Sequence, residues 1–551
     1  MASHRLKRAG LPYPDWVAGF DTLAESDIRR IRSRIASLAV GLRFHVVLEA
    51  TGAGDLAAGA TLASLQAQLY REFDCTVLDD MDPGCLVVFN AGLKVAVGST
   101  WVMRLRAGDV LPPHALYWFA AVLTNQPEAT VIYADDDMLD ASDQRSAPRF
   151  KPDWSLTHFR ACNYVGDAVA IRGDALAATG GLDVEACRHG FYEKLLQVID
   201  FKEENVIHLP AVLLHRGLRS SADDNLPALA AWEMAALRRH LSRRNVAAEV
   251  LLGLAGCRRV LHQLPEPPPL VSIIVPTRDA ADLLRRCVNS VLGKTTYPQF
   301  EILVVDNQSS EPQALTCLRE LAAHPAVRVL RYDRPFNFSA INNFAAREAR
   351  GGVLCLLNND TEVISPDWLD EMVGHLLQPG VGVVGAKLYY PDGRVQHAGD
   401  TVGPGGCANH LHSGIAREDP GYCNRAVVAQ ELSAVTAACL VTRRDLFIGL
   451  GGLDARWLKV AFNDVDYCLR VRAAGHQVVW TPHAELYHHE SVSRGRNDTW
   501  SKKLRSEFEV MVMRRRWGRV MRNDPFYNPN LNYRRPDFTP GRMLRVKKPW
   551  L

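Results

Sequence analysis

VSIIVPTRDAADLLRRCVNSVL, residues 271–292, decides the fold, and FEILVVDNQSS, residues 300–310, completes the pattern. A short apolar run that ends in polar residues predicts a buried strand. The apolar residues from Leu283 to Val291 then recur at helical spacing, and a second apolar run follows. Strand, helix and strand in this order predict a βαβ unit within a parallel sheet. The sequence therefore predicts an α/β fold.

A third apolar run lies in GGVLCLLNNDTEV, residues 351–363, and ends in two amides and a carboxylate. Polar side chains thus follow three predicted strands, at Thr277, Asp306 and Asp360. In parallel sheets, ligands bind beyond the carboxyl ends of the strands. Each of the three residues alone is typical of a turn or a helix cap. Together they predict a binding site.

The chain has 551 residues, too many for one ordinary hydrophobic core, so at least two domains are expected. HQLPEPPPL, residues 262–270, holds four prolines and predicts a stiff linker. The sequences on its two sides resemble each other. IRGDALAATGGLD at 171–183 parallels TRRDLFIGLGGLD at 442–454, and the same offset relates FYE at 191–193 to FND at 462–464. Two copies of one α/β domain are therefore predicted.

The first copy is predicted to be the shorter one. Asp79 matches Asp306 and Asp109 matches Asp360, but the first copy has no counterpart of residues 327–346 between them. We therefore expect its crevice to lack about one strand and one helix.

Eight motifs of the second copy stand in one order between about residues 270 and 495: VSIIVPTRD, EILVVDNQSS, FNFSAINN, LLNNDTEV, AACLVTRRDLF, GGLD, FNDVDYCLR and LYHHES. Together they resemble the family 2 glycosyltransferases of bacterial surface-polysaccharide assembly, which have the GT-A fold. The first copy resembles the same family more weakly over about residues 44–217. The resemblance implies two tandem GT-A domains, the Rossmann-like α/β fold of nucleotide-diphospho-sugar transferases.

The resemblance implies an inverting glycosyltransferase that moves a sugar from a nucleotide-diphosphate sugar to a glycan acceptor in O-antigen or capsule-like polysaccharide biosynthesis. A transferase with both domains active and a non-catalytic saccharide- or nucleotide-binding scaffold are the alternatives. The expected division of the chain is an N-terminal extension (1–43), a degenerate GT-A-like domain (44–261), the linker (262–270), the catalytic domain (271–500) and a basic C-terminal tail (501–551).

Loss of a nucleoside diphosphate builds up negative charge, which Mg²⁺ or Mn²⁺ can offset, and a carboxylate is a suitable ligand. The resemblance assigns this role to Asp360, although the family's Asp-X-Asp motif reads Asn-Asn-Asp here. Asn358 is expected to bond the ribose or a phosphate. The resemblance also implies His488 as a metal ligand, with His489 as a possible substitute and an ordinary loop histidine as the alternative.

The acceptor hydroxyl needs a general base. Asp464 lies near the start of a predicted helix that ends at Gly475, where a helix cap is the alternative role. The resemblance assigns the base to Asp464 and implies inversion of the anomeric centre. Asp466, about 200° further around the helix, is expected to support the helix end or to touch the acceptor.

Pro276, Thr277 and Asp306 are expected to form the floor of the nucleotide site, with Pro276 fixing a turn. An Asx turn is the alternative role for Asp306.

The first copy keeps Asp109, Glu193 and His215 near matching places but has Arg106 where an acid or amide would face the diphosphate. We therefore interpret it as a degenerate copy that supports the fold or binds the acceptor. The acids of YADDDMLD, residues 133–140, are expected to form a solvated edge.

Residues 501–551 hold 14 lysines and arginines against four acids, whereas the whole chain has a formal charge of +3. A basic segment on an acidic body favours an anionic partner, and a solvated tail is the alternative. We expect a glycan or lipid-linked glycan acceptor, peripheral contact with the inner face of the plasma membrane, and no nucleic-acid partner. The 12 scattered cysteines and the absence of a predicted signal or membrane-spanning segment favour the cytoplasm.

Overall fold

The computed structural model describes residues 10–38, 41–50, 55–78, 83–95, 100–200, 205–218, 226–489 and 500–551. Asp79, the predicted counterpart of Asp306, lies outside these residues. Within them, no helix combines the length and the apolar character needed to cross a bilayer.

The chain folds around two mixed α/β sheets, one on each side of the linker. The first sheet consists of β1 (Arg43–Glu49), β2 (Phe73–Leu78), β3 (Thr100–Arg106), β4 (Val131–Leu139), β5 (Arg145–Arg149), β6 (Val169–Arg172) and β7 (Val206–Arg216). Its order is β2-β1-β3-β6-β4-β5, and β7 also pairs with β4. A hairpin of β8 (Ala248–Leu252) and β9 (Arg258–His262) precedes the linker.

The second sheet is larger, with the order β12-β11-β10-β13-β20-β15-β21-β14. Two further strands pair with it, β16 with β15 and β19 with β21, while β17 and β18 form a separate hairpin. The strands are β10 (Val271–Thr277), β11 (Phe300–Asp306), β12 (Val327–Arg331), β13 (Val353–Leu357), β14 (Thr361–Val363), β15 (Val381–Tyr389), β16 (Val395–His397), β17 (Asp400–Val402), β18 (Ala408–His410), β19 (Gln430–Glu431), β20 (Cys439–Arg443) and β21 (Gln477–His488).

Helices cover both sheets. They are α1 (Tyr13–Phe20), α2 (Glu25–Ile35), α3 (Asp55–Gln66), α4 (Pro83–Val95), α5 (Ala115–Leu123), α6 (Leu156–Ala161), α7 (Gly173–Ala178), α8 (Val184–His189), α9 (Tyr192–Ile199), α10 (Leu226–Arg243), α11 (Ala281–Lys294), α12 (Pro312–Ala322), α13 (Phe338–Glu348), α14 (Trp368–Leu376), α15 (Arg444–Gly449), α16 (Asn463–Ala473) and α17 (Trp500–Arg522).

The predicted βαβ unit is confirmed, because β10 runs parallel to both β11 and β13. Alternate residues of β10 enter different cores. Ile273 packs with α11 and α14 on one face of the sheet, whereas Ile274 packs with α13 and α16 on the other. A strand buried on both faces needs a continuous apolar run, which is what the sequence supplies.

The register of these strands brings their polar ends to one edge. Thr277 lies opposite Asp306, and Asp360 follows the end of β13 by three residues. The interpretation of Pro276 as a turn residue is wrong, because β10 continues through it. Pairing of β10 with β13 ends at Ile274, so a proline without an N–H group is tolerated two residues later.

The two copies share one strand order: β2, β1, β3, β6, β4 and β7 correspond to β11, β10, β13, β20, β15 and β21. Within the described part of the first copy, no strand lies outside β2, where the second copy has β12. Among the described residues between β2 and β3, α4 is the one element, whereas α12, β12 and α13 join β11 to β13. The predicted loss of a strand and a helix is confirmed.

The expected solvated edge in YADDDMLD is wrong. Asp135, Asp136 and Asp137 are fully buried because β4 lies inside the sheet, paired with β5, β6 and β7. Asp136 forms ion pairs with Arg149 and Lys151, at 2.7 Å each. Burial alone would raise the pKa of Asp136, but these cations hold it below the usual range.

The segment after α17 is folded against both domains. Asn528 donates its amide hydrogens to the Asp135 carboxylate, at 2.9 and 3.1 Å, and to the Lys151 carbonyl. The Asp524 carboxylate accepts hydrogen bonds from the Thr401 hydroxyl and the Val402 N–H group. These contacts fasten the β17–β18 hairpin of the second domain to the buried acids of the first.

Candidate active site

Asp360 and His488 meet at the carboxyl edge of the second sheet. The pairing of β14 with β21 sets Thr361 opposite His488. This register brings the Asp360 Oδ1 atom to 3.2 Å from the His488 Nε2 atom. Both residues are buried. The predicted metal ligands therefore lie side by side.

A third residue, Gln396, orients the imidazole. Its amide donates to the His488 carbonyl at 3.3 Å, so its Oε1 atom faces His488 Nδ1 at 2.7 Å and accepts a hydrogen bond from it. His488 Nε2 is then the unprotonated nitrogen, and the Asn358 amide donates to it at 3.3 Å. An imidazole lone pair and the Asp360 carboxylate thus point at the same small volume. That arrangement fits a divalent cation between them, and Gln396 is the outer partner such a histidine needs.

The predicted nucleotide floor lies on the same edge. Asn359 donates its amide to the Thr277 hydroxyl at 3.0 Å, which ties the loop after β13 to the end of β10. Asp306 accepts a hydrogen bond from the Ser309 N–H at 2.9 Å, three residues on, whereas an Asx turn uses the N–H two residues on. Its second oxygen pairs with Arg331 of β12 at 2.5 Å. Asp306 therefore shapes the turn after β11 and also forms an ion pair with a partly exposed arginine.

Asp464 is the second residue of α16, which begins after Phe462 in a left-handed conformation and ends before Gly475, as predicted. Its Oδ2 atom accepts the Ala437 N–H at 3.0 Å, and its Oδ1 atom accepts the Val465 N–H at 2.9 Å. Burial raises the pKa of Asp464, and the nearby Asp400 carboxylate raises it further against the effect of the two N–H groups. A half-buried carboxylate with a raised pKa is suited to accept a proton.

Two consecutive residues join Asp464 to the predicted metal ligands. Ala437 donates its N–H to Asp464, and the carbonyl of Ala438 accepts the Asn358 N–H at 3.0 Å. The structure thus gathers Asn358, Asp360 and His488 directly and connects Asp464 to them through the backbone before β20.

Asp466 supports the end of α16, which is one of the two roles predicted for it. It is fully buried and pairs with Arg470 at 2.8 Å and with Arg516 of α17 at 3.1 Å, and it accepts a hydrogen bond from the indole N–H of Trp517. These bonds fasten α16 to α17.

Sequence reasoning missed a cluster beside this site. His397 ends β16, and Asp400 and His410 lie opposite each other in the β17–β18 hairpin. The His397 and His410 Nδ1 atoms are 2.9 Å apart, and His410 Nδ1 is 2.6 Å from Asp400 Oδ1. The stretch QHAGDTVGPGGCANH, residues 396–410, contains all of them, but only the hairpin register brings them together.

Residues 272–447 match the sequence family Glycosyl transferase family 2. This segment is a glycosyl transferase family 2 domain. The segment contains the predicted ligand Asp360 and the residues of the nucleotide floor. Asp464 and His488 come after it in the sequence: Asp464 lies on α16, and His488 lies at the end of β21 in the same sheet.

The chain is similar to two longer bacterial proteins. It is 41% identical over 522 residues to the uncharacterized protein y4gI of Sinorhizobium fredii, covering 87% of this chain and 56% of that protein. It is 38% identical over 455 residues to the O-antigen biosynthesis protein RfbC of Myxococcus xanthus, covering 80% of this chain and 34% of that protein. The chain thus spans about half and about a third of the length of these relatives.

Among solved structures, the chain is similar to the mannosyltransferase PcManGT from Pyrobaculum calidifontis, determined in complex with GDP-Man and Mn²⁺. The two are 17% identical, the match covers 55% of this chain and 77% of that one, and the TM-score is 0.35.

The first copy places its counterparts of the family 2 site differently. Asp109 follows β3 by three residues, and Val110 pairs with His215 as Thr361 pairs with His488. Yet the Asp109 carboxylate accepts the N–H groups of Arg106 and Gly217, and His215 Nδ1 lies 2.6 Å from Asp137. The histidine of this copy is therefore held by a different carboxylate.

Glu193, the counterpart of the predicted base, is bound by an arginine. Arg239 donates to both Glu193 oxygens, at 2.7 and 2.8 Å. In the family 2 domain, the Asp464 carboxylate instead accepts hydrogen bonds from two backbone N–H groups. The Glu193 carboxylate is thus held by a side chain of α10, whereas the Asp464 carboxylate is held by the backbone.

Replacing Asp360 by asparagine is expected to weaken Mn²⁺ binding in the presence of GDP or UDP. The substitution keeps the shape of the side chain but removes the charge that faces His488. Because loss of a residue that only orients a ligand already lowers metal affinity by about 10- to 100-fold, loss of this ligand charge should lower it at least as much. Calorimetric titration measures the affinity. Asp392→Asn, at an exposed ion pair with Arg394, is the matched control and should bind Mn²⁺ as the unsubstituted chain does. Equal affinity in Asp360→Asn and the control would contradict the assignment.

Proposed function

We propose that the chain is an inverting glycosyltransferase that moves a sugar from a nucleotide-diphosphate sugar to a glycan acceptor in bacterial cell-surface polysaccharide biosynthesis. The family 2 domain is its active centre in this proposal. The observation that carries it is the connection of Asp464, a carboxylate with a raised pKa, to the Asp360–His488 pair through Ala437 and Ala438.

The predicted roles divide between two sides of one cleft. On the donor side, Asp360 and His488 hold a divalent cation, Asn358 contacts the diphosphate or ribose, and the edge formed by Pro276, Thr277 and Asp306 takes the nucleotide. A bound cation supplies positive charge to the leaving diphosphate.

On the acceptor side, Asp464 takes the proton. As the acceptor oxygen forms a bond to the anomeric carbon, its proton moves to the Asp464 carboxylate. The bond from the anomeric carbon to the phosphate oxygen breaks, and the nucleoside diphosphate leaves with the electron pair. One displacement from the opposite side inverts the anomeric centre, and no enzyme nucleophile is required.

The substrate class is supported by the relatives rather than by the geometry. RfbC of Myxococcus xanthus is described as an O-antigen biosynthesis protein, and its 38% identity with this chain runs through both copies. Because the chain spans only a third of that protein, its acceptor and its pathway are part of the proposal.

The first copy serves as a support in this proposal. Both oxygens of its candidate base Glu193 are occupied by Arg239, and the absence of a β12 counterpart in its described residues shortens its crevice. These two observations favour a single active domain over a transferase with two.

The basic C-terminal region contacts an anionic membrane surface in this proposal, through α17. Leu504, Phe508 and Met511 are exposed at helical spacing on this helix, and the Trp457 ring lies beside Phe508 in a tilted arrangement. Arg514, Arg515, Arg519 and Arg522 follow on the same helix and are exposed. Exposed apolar side chains on a basic helix are typical of segments that lie in the membrane interface.

Asp464→Asn is expected to lower kcat for sugar transfer by about 100- to 10,000-fold, the usual contribution of a general base. Glu193→Gln in the first copy is the matched control and should leave kcat near that of the unsubstituted chain. A panel of nucleotide sugars with Mn²⁺ and a lipid-linked glycan acceptor measures both. Loss of activity in Glu193→Gln would favour two active domains, and no turnover of any donor would favour the binding scaffold.

The pH profile of kcat is expected to report the Asp464 carboxylate. Burial raises its pKa, so the group binds a proton, and the rate falls, at a pH above the ordinary range of aspartate near 3.9. Above that pKa the carboxylate is charged and the rate is full. Rates measured from about pH 4 to pH 8 should therefore show an acidic limb that Asp464→Asn abolishes. An unchanged limb in this variant would assign the titration to another group.

The double variant Leu504→Ser, Met511→Ser is expected to lose binding to vesicles of anionic phospholipid by about tenfold or more, since burial of each side chain contributes about 1.5–3 kcal/mol. Co-sedimentation measures the bound fraction. Ile448→Ser, which removes an exposed apolar side chain from α15, should bind as the unsubstituted chain does. Equal binding of all three proteins would exclude α17 as the contact.

A further inference from the structure

The cluster of His397, Asp400 and His410 has the geometry of a metal site. The ligand atoms of its three side chains all lie within 4.8 Å of one another. The backbone fixes two of them, since Asp400 and His410 are cross-strand partners in the β17–β18 hairpin. His397 comes from the end of β16, three residues before Asp400.

One proton cannot satisfy these three groups. If His410 Nδ1 carries a proton and donates to Asp400 at 2.6 Å, the His397 Nδ1 lone pair faces the same point at 2.9 Å. A cation between the three groups would use the His397 and His410 lone pairs and the Asp400 charge at once.

We propose that His397, Asp400 and His410 bind one transition-metal dication of the Zn²⁺ type, at a site separate from the Asp360–His488 pair. Two imidazoles and one carboxylate suit Zn²⁺, Fe²⁺ or Co²⁺, whereas Mg²⁺ and Ca²⁺ prefer oxygen ligands throughout. The His410 side chain is 39% exposed, so one side of the site faces solvent. Three protein ligands and an open side leave coordination positions for water or a substrate oxygen.

The site adjoins both halves of the proposed cleft. Gln396, which orients His488, precedes His397 in β16. The Asp400 N–H group donates to the Ala434 carbonyl at 2.9 Å. Three residues further along the chain, the Ala437 N–H group donates to the Asp464 carboxylate. This location gives the ion a role that rests on the proposed function: a hydroxyl of the saccharide acceptor would occupy an open position beside Asp464.

Metal binding tests the site without any nucleotide sugar, so the result is independent of the transferase proposal. The full chain, freed of metal by a chelator, is titrated with Zn²⁺ in the Asp360→Asn background, where the donor-side ligand is removed. We expect one tight site, and we expect His410→Gln to weaken it by about 100-fold or more, since loss of a ligand exceeds the 10- to 100-fold cost of losing an outer partner. His324→Gln, at an exposed histidine, should leave it unchanged. Absence of a tight site in the Asp360→Asn chain, or equal affinity in the His410 and His324 variants, would overturn the proposal.

X-ray absorption of the unsubstituted chain loaded with one equivalent of Zn²⁺ gives a second measurement that does not depend on a variant folding correctly. The site proposed here supplies two imidazole nitrogens, whereas the donor side supplies one, from His488. A zinc shell with two imidazoles is expected. A shell with one imidazole or none would place the ion elsewhere and overturn the proposal.

Discussion

The pairing of β14 with β21 is the constraint on which the site depends. It sets Thr361 opposite His488 and thereby brings Asp360, from the middle of the domain, to His488 at the end of its last strand. Asp360 reaches that point because β13 ends three residues earlier, between β10 and β20 in the sheet. A shift of this register by one residue would turn His488 to the other face of β21 and separate it from Asp360. The buried sheet therefore fixes the spacing that a shared cation requires.

Local sequence patterns were sufficient for the strands that carry this edge. The bounds of β13 and β11 agree with their apolar runs, because each strand is buried on both faces and ends where polar residues begin. The proximity of Asp360 and His488 followed from a family resemblance, since 128 positions separate them and no periodic pattern connects them. The role of Asp466 as a support was open between two alternatives until its partners on α17 were visible.

Long-range pairing explains what the sequence did not reveal. The acids of β4 resemble a solvated edge when only their neighbours in sequence are considered. Their burial depends on partners far along the chain, above all Asn528, which is 393 residues from Asp135. The cluster of His397, Asp400 and His410 was missed for a related reason. Its spacing matches no common metal motif, and only the hairpin register places Asp400 beside His410.

The retention of a first copy with a bound Glu193 has a physical rationale in the C-terminal segment. Asp524 accepts hydrogen bonds from Thr401 and Val402, directly after the proposed ligand Asp400. Four residues later, Asn528 is anchored on Asp135 of the first copy. The hairpin beside Asp464 is thus fastened to a buried carboxylate of the other domain, whose charge requires these bonds. A first copy without an active base would therefore still contribute to the second, because it holds the anchor of the segment that carries the β17–β18 hairpin.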